Sequence, residues 1–269
     1  MKALIVAPVL LLSACAGGGA GAPAGTERPT IVSLNPCTDA ILAEVAGPGQ
    51  LLAISHYSKD PRASSMQPGD AARYDATGGT VEEVLALDPD VVLAGSFIAP
   101  ATRAALADLG IRVETVGSVG SVADSIAQVR QLAALTGDKA AGDALVARIE
   151  KAAQPSEEAP IDTVLWQSGG IVPGEATLVS ELLTRAGLAN GAANRGLGQA
   201  DYLSLEAVLA DPPDLLLVAG SERGQGHPAL AALPDTRIAR LDPNLVYCGG
   251  PTIPRAMARL RALRQSLAS

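Results

Sequence analysis

The chain has 269 residues, a formal net charge of −8, 48% hydrophobic residues and 18% charged ones. So much apolar side chain excludes a disordered polymer, and the negative balance argues against nucleic-acid binding, which needs a basic face for the phosphates. Only six residues are aromatic, Tyr57, Tyr74, Phe97, Trp166, Tyr202 and Tyr247, so an aliphatic core is expected, and the places of the rings matter because pockets for large ligands favour them.

Lys2 precedes an apolar run at residues 3–12, about half of the ~20 residues that a bilayer crossing takes. Such a run fits a secretory signal over residues 1–14. Leu12-Ser13-Ala14-Cys15 resembles the lipobox of bacterial lipoproteins, which implies a lipid on Cys15 and an exported, membrane-anchored chain in the periplasm. An ordinary signal cleaved near Ala14 or Ala16 is the other reading. Residues 15–28 are rich in Gly, Ala and Pro and are expected to form a flexible tether.

From there strands and helices alternate. Residues 31–34 predict a strand, closed by Asn35-Pro36, and a helix then runs from about residue 38 to Gly47-Pro48. A second strand is expected at 51–55, a polar surface loop at 58–79, a short helix at 81–87 and a buried strand at 91–94. A helix at 100–109, a strand at 113–116 and two helices, 121–135 and 138–154, follow. The polar break at 155–160 (PSEEAP) comes before a new strand at 164–166. Residues 80–90 (TVEEVLALDPD) and 204–214 (SLEAVLADPPD) match at six of eleven positions, and apolar runs follow both. The expectation is an α/β fold of two Rossmann-like lobes with mainly parallel sheets. An N-terminal lobe at 29–137, a linker helix and break at 138–160 and a C-terminal lobe at 161–269 would leave a cleft between the lobes.

Ligands of open parallel sheets bind beyond the carboxyl ends of the strands. The residues that follow the predicted strands are Asn35, Cys37 and Thr38, then His56, Tyr57 and Ser58, then Ser96 and Phe97. In the second half they are Trp166, Gln167 and Ser168, then Ser221 and Arg223, then Tyr247 and Cys248. Five of the six rings fall at or near strand exits, and these positions form the expected ligand site. Arg223 and Arg255 are candidates for holding ligand oxygens.

The pieces IVSLNPCT at 31–38, TVEEVLALDPDVVL at 80–93, LGIRV at 109–113 and SLEAVLADPPDLLLV at 204–218 resemble the periplasmic substrate-binding proteins of the cobalamin and ferric-siderophore ABC-import family. The resemblance covers about residues 29–265. It implies two lobes bridged by one long helix, a ligand held between them with little hinge motion, and no catalysis. It also implies that one surface glutamate per lobe docks onto arginines of a two-fold permease dimer; the matching positions are Glu82 and Glu206. Their placement equally suits acids favoured at helix starts. The cargo would be cobalamin or an iron chelate of siderophore or haem type, carried by a monomer with no resident cofactor or metal.

Cys37 and Cys248 lie in different lobes, each at a predicted strand exit. A disulfide across the cleft, two thiols facing ligand and two unpaired structural thiols are all open readings. The two histidines and these cysteines show no zinc-ligand spacing, and no nucleophile elbow, phosphate loop or dinucleotide fingerprint is present. The alternative function is an exported α/β cleft enzyme that uses Cys37 as nucleophile.

Overall fold

A computed structural model of the chain describes residues 28–268. The predicted signal segment, the lipidation candidate Cys15 and all but the last residue of the tether lie outside the described residues.

The first lobe comprises β1 (Ile31–Ser33), α1 (Pro36–Val45), β2 (Leu51–Ser55), α2 (Pro68–Ala71), β3 (Asp75–Thr77), α3 (Val81–Leu87), β4 (Val91–Gly95), α4 (Pro100–Asp108) and β5 (Arg112–Val116). Its five strands lie parallel in the order β3-β2-β1-β4-β5. Two helices follow, α5 (Val122–Thr136) and α6 (Lys139–Ala152). The second lobe comprises β6 (Ile161–Gln167), β7 (Ile171–Pro173), α7 (Leu178–Arg185), β8 (Leu188–Asn190), α8 (Gly191–Asn194), β9 (Gln199–Tyr202), α9 (Leu205–Ala210), β10 (Leu215–Ala219), β11 (Arg237–Arg240) and α10 (Thr252–Ala268). Its main sheet is parallel in the order β11-β10-β6-β8, and β7 and β9 pair as a separate antiparallel ribbon.

Local sequence explains the helix starts. Asn35 Oδ1 accepts from the backbone N–H groups of Cys37 and Thr38, and Pro36 opens α1 where no N–H is needed. Ser121 caps α5 and Asp138 caps α6 in the same way. Between these two helices the chain turns at Gly137, whose φ of 75° suits only glycine well. The helices then pack so closely that a Cβ on Gly142 would lie 2.4 Å from that of Ala133. α6 packs against α1 of the first lobe and α10 of the second, so it bridges them.

Both copies of the internal repeat occupy the same place. Thr80 and Ser204 cap α3 and α9, and the helices lead into β4 and β10, strands with a neighbour on each side. Period-two alternation sorts each sheet's residues onto two faces. In the first lobe Ile31, Ile54 and Leu93 face the centre of the molecule, whereas Val32, Ala53 and Val92 face Val84 of α3 and Leu106 of α4. In the second, Leu165, Leu215 and Leu217 join the same central cluster, while Val164, Trp166, Leu216 and Val218 form an outer one. Among the described residues, Trp166 is the one buried ring in an otherwise largely aliphatic core.

The segment expected as a surface loop at 58–79 is more ordered than its polarity implies. It contains the end of a 3-10 turn (His56–Lys59), α2 and β3, and Ser58, Ser64, Ser65 and Met66 are buried. Burial is tolerated because the polar groups satisfy one another. Ser58 Oγ donates to Asp39 Oδ2 at 2.6 Å, Ser64 Oγ donates to Ser58 Oγ and accepts from Met66 N, and Ser65 Oγ donates to the Asn244 carbonyl.

Candidate functional site

The carboxyl ends of the two parallel sheets open into one cavity of about 330 Å³ between the lobes. From the first lobe it is lined by Asn35, Cys37 and Thr38 after β1, by residues 95–97 after β4 and by residues 116–120 after β5. From the second it is lined by Gln167 at the end of β6, by the β7–β9 ribbon, by residues 177–179 at the start of α7 and by residues 246–248. Gln128 of α5 completes the wall.

Cys37 and Cys248 form a disulfide with their Cα atoms 5.2 Å apart, so the bridge spans the lobes and lines the cavity. With Cys37 oxidised, the enzyme reading loses the thiolate it needed. Further bonds cross near the bridge. Tyr247 Oη donates to the Arg62 carbonyl at 3.3 Å, and Arg255 donates to the Ser65 carbonyl and to the side-chain oxygen of Gln67. Arg255 is therefore an inter-lobe clamp that does not line the cavity. Burial pushes its guanidinium pKa down and that of the Tyr247 phenol up.

The predicted ligand residues divide by strand. Asn35, Cys37, Thr38, Ser96, Phe97, Gln167, Tyr247 and Cys248 line the cavity. Phe97 is 92% exposed and Tyr247 44% exposed, so both rings are accessible to a ligand. Trp166 is not a cleft residue. Strand alternation turns it onto the outer face, where it is 4% exposed and its Nε1 donates to the Leu203 carbonyl at 2.8 Å. The rings of His56 and Tyr57 touch in a tilted arrangement, with centroids 4.0 Å apart and planes 36° from parallel. They follow β2, whereas the cavity lies beyond β1, β4 and β5, and so they stand outside it. Ser58 points inward to Asp39. Ser168, Ser221 and Arg223 also lie off the cavity, Ser221 in a shallow depression with Arg240 and Arg259 beyond β10 and β11. Glu82 and Glu206 are exposed, each at the second position of its helix.

Four parts of the wall escaped the sequence reading: the exit of β5, the β7–β9 ribbon, the start of α7 and Gln128. The exit of β5, residues 116–120, follows from the same strand-end rule once it is applied to this edge strand beside β4. The β7–β9 ribbon carries no such signal, because its strands are short and Gly169, Gly170 and Gly174 surround them.

Comparison with known proteins agrees with this geometry. The periplasmic binding protein family matches residues 31–235. The cobalamin-binding proteins of two Halobacterium salinarum strains are 25% identical over 209 residues, covering 73% of this chain and 55% of theirs. The chain thus spans about half the length of these relatives. Among solved structures, the heme-binding protein RhuT of Roseiflexus sp. RS-1 superposes with a TM-score of 0.67 at 22% identity, covering 88% of this chain and 97% of that one. The vitamin B12-binding protein BtuF of Vibrio cholerae gives 0.67 at 18% identity over 89% and 98% of the two chains, and the heme-binding protein HutB of the same organism gives 0.70 at 19% over 88% and 99%. These likenesses share the two-lobed fold, and the family match spans most of both lobes: the chain belongs to the periplasmic binding protein family.

Proposed function

We propose that this protein is the substrate-binding component of an ABC importer, capturing a corrinoid or an iron chelate of siderophore or haem type between its lobes and delivering it to the membrane permease. The observation that carries the reading is the inter-lobe cavity with Phe97 and Tyr247 accessible on its wall. Its volume lies at the small end of the ~300–1,000 Å³ usual for ligand pockets. A large flat cargo would seat one edge in the cleft and leave the rest outside, with the exposed rings packing on it. Export by the N-terminal signal, with a lipid on Cys15, would hold the protein beside its permease.

The test is a spectroscopic titration of the purified protein with cyanocobalamin, haemin and a ferric siderophore. Saturable 1:1 binding of one of them, with the ligand recovered unchanged, is expected. Chemical conversion of the bound ligand, or no binding of any of the three, would overturn the proposal.

A further inference from the structure

The cavity wall carries a charge pattern that narrows the cargo. Among the described residues that line it there is no Asp, Glu, Lys, Arg or His. Its polar groups are amides and hydroxyls, and several are free to meet a ligand. The side chains of Gln167, Gln199, Ser96 and Ser118 line the cavity without a hydrogen bond to any described residue. Each amide both donates and accepts, and each hydroxyl does the same.

Two helices start at the cavity, α1 and α7; neither places a cationic side chain on its wall, and α1 has little to give an anion. The first free N–H groups of α1, those of Cys37 and Thr38, are already taken by Asn35 Oδ1, and the Thr38 hydroxyl is held between Ser33 Oγ and the Asn35 carbonyl. A charged side chain that does bond the wall is itself negative. Asp124 Oδ2 accepts from the backbone N–H of Gly120 at 3.3 Å. A carboxylate brought into such a site loses water and finds no cation in exchange, which is the unfavourable case for burying a charge. A primary amide loses less on desolvation and finds donors and acceptors in both senses.

We infer that the cleft selects ligands whose periphery is uncharged and amide-bearing and discriminates against ligands that present carboxylates. This inference rests on the binding role proposed above and specifies its cargo class as the amide-decorated corrinoids rather than propionate-bearing or carboxylate-bearing chelates.

Three probes separate the outcomes, each titrated into the purified protein at low and high salt. They are dicyanocobinamide, whose ring side chains end in amides, dicyanocobyrinic acid, the same ring with carboxylic acids in their place, and haemin, with two propionates. The expected result is that the cobinamide binds at least about tenfold more tightly than either acid, and that its Kd is nearly independent of salt. Equal or tighter binding of the acid corrinoid or of haemin would overturn the selectivity while leaving the cleft's binding role standing. Binding of none of the three would overturn both.

Discussion

At the scale of single residues, Asp39 is the group whose chemistry departs furthest from its ordinary state. It is fully buried in the first turn of α1, its Oδ2 accepts from Ser55 N at 2.9 Å and from Ser58 Oγ, and its Oδ1 has no hydrogen-bond partner. Burial raises its pKa to about 7, against the opposing pull of the serine groups around it. The folded state therefore holds this proton more tightly than the unfolded chain, whose aspartate titrates near 3.8. The linked stability is fully present below the unfolded value and is lost as pH rises through about 7. Thermal unfolding followed from mildly acid to mildly alkaline buffer should show the midpoint falling as pH rises. Asp39→Asn, which cannot ionise, should flatten that slope and exceed the parent in alkaline buffer. A variant that keeps the parent's slope would show that another group is responsible.

At the scale of elements, α3 and α9 are two copies of one device. Each begins at a capping hydroxyl, Thr80 or Ser204, and places an exposed glutamate at its second position. Glu83 is tied into the capping box, bonding Thr80 N and Thr77 Oγ1, and these bonds hold its carboxyl pKa below the usual range. Glu82 is left as the acid on α3 that can meet a partner. If the pair docks onto a permease, Glu82→Arg with Glu206→Arg should abolish uptake by cells while Kd for the cargo stays within about twofold. Reversing a charge in an exposed first turn costs little folding stability, so the variant stays folded. Weakened ligand binding with uptake reduced in proportion would count against docking. This repeat was legible because caps and aliphatic helix faces are local patterns. Which strand end meets the other lobe is not local. Trp166 and Gln167 are neighbours in sequence, yet alternation buries one and turns the other to the cleft. His56 and Tyr57 look equally suited to a site until sheet order places β2 away from it. The two-lobed fold was thus readable from the sequence, and of the site so were the lining residues after β1, β4, β6 and β11, but not those after β5 or on the β7–β9 ribbon.

At the scale of the whole molecule, the lobes behave as one packed body. A single apolar cluster runs from Ile31, Ile41 and Leu93 through Val129 and Leu145 of the bridging helices to Leu165, Leu183 and Leu217. Polar links reinforce it. Thr136 Oγ1 donates to the Val45 carbonyl, Gly250 N–H donates to Ser125 Oγ, and Val122 N–H donates to Glu181 Oε2. The Cys37–Cys248 bridge closes the longest loop of all, with a sequence separation of 211. Two pairing partners so far apart give no spacing motif, which is why the sequence left their state open. In the chain-entropy view a loop of this length removes about 5.4 kcal/mol from the unfolded state's advantage. Replacing both cysteines with serine should therefore lower the unfolding midpoint by roughly 10–20 °C, far more than a surface substitution would. Because the central cluster is continuous, calorimetry should still show one cooperative transition. Two separated transitions in the serine variant would mean that the disulfide, and not the shared core, makes the lobes unfold together.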